Sequence, residues 1–129
     1  MNLIEEISLP NSLTLQVWDR SRRIAVDTTK VELRVSVTVP VRPEYFSDPA
    51  QYDKVRRVFG QEITYEYGKE RTFVDRDEKD AVFTQLLADF KRDSLPYIAK
   101  PSFPSRFVLS KLRDIEQHFY KYRHILSRR

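Results

Sequence analysis

Residues 31 to 41 read VELRVSVTVPV, with Val31, Leu33, Val35, Val37, Val39 and Val41 at alternate positions and Glu32, Arg34, Ser36 and Thr38 between them. Successive strand residues point to opposite faces, so this alternation predicts a strand with one apolar and one polar face. Pro40 belongs near its end, because proline cannot donate to a ladder. A strand with one apolar face needs paired neighbours and a cover, and the flanking sequence supplies candidates for both.

On the N-terminal side, LIEEISL and LTLQVW flank Pro10, Asn11 and Ser12, with Leu13, Leu15 and Val17 alternating against Thr14, Gln16 and Trp18. Proline presets the first position of a turn and asparagine suits the second, so a hairpin is expected here. On the C-terminal side, QEITYEY and ERTFV flank Gly68-Lys69, which predicts a second hairpin with a type II′ turn. That register places Ile63, Tyr65 and Tyr67 on one face and sets Glu66 opposite Arg71, a cross-strand charge pair worth roughly 0.2 to 1 kcal/mol. A turn one residue longer, with Gly68 in a bulge, is the competing register.

Three helices are expected. SDPAQYDKVRRVFG offers Asp48 as N-cap, Pro49 at the first helical position and Gly60 beyond the last turn, with Tyr52, Val55 and Phe59 in one stripe. After Val74 the apolar period changes from 2 to 3.6. Asp75 and Glu78 resemble a capping box, and Val82, Phe83, Leu86, Leu87 and Phe90 form a stripe that runs to about Arg92, with Pro96 beyond it. LPYIAKPSFP reads as a stiff, ordered connector whose Leu95, Tyr97, Ile98 and Phe103 call for cover. From about Pro104 the helical pattern continues to the end of the chain, with Val108, Leu112, Ile115, Phe119, Tyr122 and Leu126 on one seam.

These elements define an α+β fold in a single domain, residues 1 to 129. It has an antiparallel sheet of about five strands, made of two hairpins and the long central strand. Two C-terminal helices pack on one face, and a short helix is inserted before the second hairpin. A chain of 129 residues, 40% hydrophobic and 33% charged with only two glycines, has the apolar content for one ordered core.

Composition also narrows function. There is no cysteine, which removes disulfides, thiolate nucleophiles and thiolate metal sites. The start MNLIEEISLP carries two glutamates where a signal peptide has basic residues, and no stretch approaches the ~20 apolar residues that span a bilayer. A soluble cytoplasmic protein without membrane partners is expected. With Gly60 and Gly68 the only glycines, there is neither a phosphate-cradling loop nor a dinucleotide fingerprint, and no serine sits in a nucleophile elbow. His118 and His124, the only histidines, are six apart and point about 120° from each other on a helix. Asp114 and His118 supply two metal ligands at most, with no third in view. The sequence therefore predicts no enzyme, no cofactor and no metal.

The net charge of +4 is unevenly placed, since residues 105 to 129 hold seven basic against two acidic side chains and the remainder is close to neutral. On a helical wheel Arg106, Arg113, Lys121, His124 and Arg128 share the outer face, bordered by Tyr120. Arg20, Arg22 and Arg23 form a second cluster in the connection after Trp18. Regularly spaced cations beside an aromatic suit a phosphate backbone, whereas the plainer reading is a solvated helix face. The function expected is a non-catalytic binding or adaptor module acting through protein–protein contacts, self-association included. The alternative is nucleic-acid binding through the basic outer face of the last helix.

Overall fold

In a computed structural model, which describes residues 1–127, the α+β class is realised as a five-stranded antiparallel sheet with five helices. The valine-rich segment is the long strand β4, Thr28–Pro40, whose odd-numbered residues from Val31 to Val39 are at most 1% exposed. β1, Asn2–Ser8, and β2, Thr14–Asp19, form the expected first hairpin. Its turn is held by Ser12 in the left-handed region (φ 73°) and by the Asn11 side chain, which accepts from Leu13 N–H.

Along β4, Leu15 faces Val37 and Asp19 faces Leu33, and the same register carries on where Arg22 faces Lys30 and Arg23 faces Thr29. β2 and β3, Arg22–Ala25, are thus one run along a single edge of β4, interrupted at Arg20 and Ser21. The Arg20 N–H still reaches Glu32 O at 2.9 Å across that interruption. A two-residue turn at Val26 and Asp27 joins β3 to β4, so Arg22 and Arg23, expected in a connecting loop, belong to a strand.

The other edge of β4 is taken by β5, Glu62–Asp75. β5 is continuous, which corrects the expected hairpin at Gly68-Lys69. Arg34 pairs with Glu66 (3.3 Å) and Lys30 with Glu70 (3.0 Å), so Glu66 finds its cation on β4 and not at Arg71. A turn dipeptide is a local preference, and pairing with a 13-residue partner strand outweighs it. The glycine serves a different purpose: a Cβ there would stand 2.5 Å from Arg34 Nη1, because the Arg34 side chain crosses the strand at that point.

The chain forms two compact units, one of residues 1–37 with 66–100 and one of residues 38–65 with 101 onward, and β4 and β5 contribute to both. In the first unit, α2, Lys79–Asp93, covers the apolar face: Phe90 is fully buried with its ring 5.0 Å from Tyr67. The expected capping box is absent. Neither Asp75 nor Glu78 caps a helix with its side chain, and a 3-10 turn at Arg76–Glu78 precedes α2. A one-turn helix α3, Leu95–Ile98, follows, with Ile98 buried.

In the second unit, α1, Pro49–Phe59, is capped as the sequence predicts. Asp48 accepts from Ala50 N–H at 2.7 Å, Pro49 opens the helix, and Gly60 leaves it with φ 89°. α4, Phe103–Gln117, packs Phe103 and Phe107 edge-on against Tyr65 of β5, at 5.4 and 5.5 Å. The single C-terminal helix expected from Pro104 onward is two helices. His118 leaves helical geometry (φ −126°, ψ 45°), and α5, Phe119–Leu126, begins after it. Val108, Leu112 and Ile115 keep the buried seam, but the break shifts its phase and Phe119 is 51% exposed instead of packed.

Candidate functional site

The basic residues singled out on the helical wheel are exposed wherever they are described. Arg106 and Arg113 lie on α4, and Lys121 and His124 on α5. Arg128 lies outside the described residues. Because the helix breaks at His118, these side chains do not follow one continuous stripe. Among the described residues none of the four lies within ion-pair distance of a carboxylate, and Lys121 acts on Asp114 only through space. Lys111, also basic, is occupied by packing: its Nζ lies 5.2 Å from the Phe107 ring and 5.9 Å from that of Phe59.

The break itself is built from side chains. Asp114 accepts from Tyr122 O–H through one oxygen, and its other oxygen is 3.0 Å from His118 Nδ1. The Tyr122 hydroxyl, donating to it, holds the Asp114 carboxyl below its ordinary range, with His118 acting in the same sense, and Asp114 in turn pushes the Tyr122 hydroxyl up. The Tyr122 ring packs on Phe59 of α1 at 6.0 Å. Asp114 and His118, the two conceivable metal ligands, are thus engaged with each other and with Tyr122, and no group of three acidic or imidazole side chains that could hold a metal exists among the described residues.

Arg20, Arg22 and Arg23 are exposed and belong to the first unit, whereas the helical cations belong to the second. Sequence reasoning missed what surrounds them. A cleft of about 360 Å³ in the first unit is lined by Arg22, Arg23, Thr29, Arg76, Lys79 and Phe83, with Asp19 and Asp80 also contributing. Thr29 occupies the inward register of Val31 and Leu33 and is only 6% exposed. A hydroxyl at the position where the pattern supplies hydrocarbon is the signal in the sequence that marks this place. Arg23 faces Thr29 across the β3–β4 ladder, and directly opposed residues of an antiparallel pair share a face.

Beyond the cleft, the same end of the sheet carries exposed apolar side chains. Val26, in the β3–β4 turn, is 82% exposed, Ile24 is 42% exposed and Phe73 of β5 is 80% exposed. The Arg76 N–H donates to Asp27 O at 3.0 Å, which fixes the end of β5 beside that turn. Phe73 has φ 57°, in the left-handed region. It also inverts the alternation of β5, because Ile63, Tyr65 and Tyr67 face inward at odd positions while Val74, at an even one, is 8% exposed. Phe73 is therefore a bulge residue, turned outward where glycine would adopt the same backbone without strain.

No helix among the described residues is long and apolar enough to cross a membrane. No protein-family model, curated protein or solved structure matches this chain.

Proposed function

We propose that the protein is a non-catalytic binding module of the cytoplasm that acts through protein–protein contacts, made by the end of the sheet where Val26 and Phe73 stand exposed. The observation that supports this reading is Phe73. A bulky residue in the left-handed region costs of order 1 to 3 kcal/mol, and such strain persists where something other than folding favours the residue. Aromatic side chains are enriched at interface centres, because they bury a large area at a small cost in rotamer freedom. An 80% exposed ring contributes little to the folded monomer, so its strain is offset only when a partner covers it.

The test compares Phe73→Gly with Phe73→Asp. Phe73→Gly is expected to stabilise the monomer in chemical denaturation by about 1 kcal/mol, through relief of the left-handed strain. A loss of stability means that the ring packs within the monomer, and removes the reading. Sedimentation at increasing concentration examines a second copy as the partner: a doubled mass that Phe73→Asp abolishes supports self-association, and a monomer throughout leaves only a different protein in that role.

A second reading, nucleic-acid binding by Arg106, Arg113, Lys121, His124 and Arg128 with the Arg20, Arg22 and Arg23 cluster, is favoured by the exposure of those described and the absence of ion-pair partners for the four on α4 and α5. It requires a steep loss of affinity with salt that is abolished when Arg106, Arg113, Lys121 and Arg128 are changed to Glu. No binding of DNA or RNA at low salt eliminates it.

A further inference from the structure

We infer that the cleft in the first unit is a binding site for a small phosphate-bearing molecule, a phosphomonoester held by Arg23, Arg76 and Lys79 with Thr29 at its floor. This goes beyond the role given to Phe73 and does not depend on it.

Charge is the first support. Four cationic side chains line the cleft against two carboxylates, Asp19 and Asp80, which leaves an excess of two positive charges. Asp19 is partly occupied, accepting from Ser21 N–H at 2.8 Å. Among the described residues Arg23 and Lys79 have no ion-pair partner, and Arg76 has only the exposed Asp77 at 3.9 Å. Elsewhere in this unit Lys30 is paired with Glu70 and Lys91 with Glu5, and what sets the cleft apart is that its cations converge on one concavity. Unmatched cations gathered around one concavity repel each other, and an anion placed among them relieves that repulsion.

The second support is independent of charge. Thr29 is 94% buried, and its hydroxyl has no hydrogen-bond partner among the described residues. No fully enclosed side-chain oxygen or nitrogen there lacks a partner, so the remaining accessible surface of Thr29 includes its hydroxyl, and that surface opens on the cleft. A largely buried donor without a partner suits an acceptor that enters from outside, and a phosphate oxygen is a strong one.

Size and shape select the class. A bare phosphate does not fill about 360 Å³, and Phe83 lines part of the space with an aromatic ring. The phosphate end meets Arg23, Lys79 and Thr29, and an organic body has Phe83 to lie against. Arg22 stands opposite Lys30, on the other face of the ladder, and contributes to the rim.

The experiment is a titration of the full chain, followed by amide resonances, with inorganic phosphate and with adenosine 5′-monophosphate as probes, and with sodium chloride at matched ionic strength as control. The expected result is a saturable shift at Arg23, Thr29 and Lys79 with the monophosphate, at lower concentration than with inorganic phosphate. Arg23→Ala and Lys79→Ala are each expected to weaken it at least fivefold. Thr29→Val keeps the shape of the buried side chain and the inward valine pattern, so it preserves the fold and isolates the hydroxyl; a severalfold loss is expected. Shifts that stay linear to 20 mM, that match those of chloride, or that persist in all three variants overturn the proposal.

Discussion

The guanidinium of Arg34 crosses β5 over Gly68, so closely that a Cβ on that residue would meet Nη1 at 2.5 Å. The glycine keeps open the path by which Arg34 reaches Glu66, and it makes no turn. Gly68→Ala is expected to displace the end of Arg34 and weaken that exposed ion pair, with a change in stability below about 1 kcal/mol. Replacing a glycine that a tight turn requires would cost more. Urea denaturation of the variant decides between the two: a loss of several kcal/mol would show that Gly68 has a backbone role that continuous β5 does not give it.

The bond between Asp114 and Tyr122 has a pH window. The Asp114 carboxyl is held below its ordinary range, so the ionised form is favoured in the fold, and this stabilisation is present above the unfolded value, near 4, and lost as pH falls through the folded one. The Tyr122 hydroxyl is pushed up, so its contribution is present below about pH 10 and is lost as pH rises through the folded value. The junction of α4 and α5 is therefore expected to be tightest between those limits. Chemical shifts of the Tyr122 ring followed from pH 3 to 11 should move at both ends in the natural chain, and Asp114→Asn should abolish the acid transition. An acid transition that survives in that variant belongs to another carboxylate.

Asn11 joins two distant parts of the first unit. Its Nδ2 donates to Ile98 O and to Lys100 O, both at 2.9 Å, while its Oδ1 accepts from Leu13 N–H. Asn11→Ala removes three hydrogen bonds, each worth about 0.5 to 1.5 kcal/mol net, and is expected to destabilise the chain by about 2 kcal/mol. Asn11→Asp should cost more, because a carboxylate would face two carbonyl oxygens. Equal stabilities of the two variants would show that the amide donors do not hold the segment after α3.

Phe90 tests the cover of the sheet. It is fully buried against Tyr67, and Phe90→Ala is expected to cost about 3 to 5 kcal/mol, from lost transfer energy together with the cavity left behind. Phe119, equally large but half exposed, should tolerate the same change within about 0.5 kcal/mol. On a continuous helix to the end of the chain, Phe119 would lie in the seam, and Phe119→Ala would be costly too.

Local chemistry was legible in the sequence. The alternation from Val31 to Val41 specifies β4 and its buried face, and Asp48, Pro49 and Gly60 specify both ends of α1, because pleat and cap each depend on residues only a few positions apart. The basic candidates were likewise legible as exposed side chains, since charge predicts solvation. Tertiary structure alone decided the rest. It set β5 along the free edge of β4 past a good turn dipeptide, and it broke the last helix at His118 where Asp114 and Tyr122 bond across the joint. It also brought Arg23 of β3, Thr29 of β4 and Lys79 of α2 to one cleft. These features join residues that are distant in sequence, or outweigh local preferences of about a kcal/mol, so no window along the chain contains them.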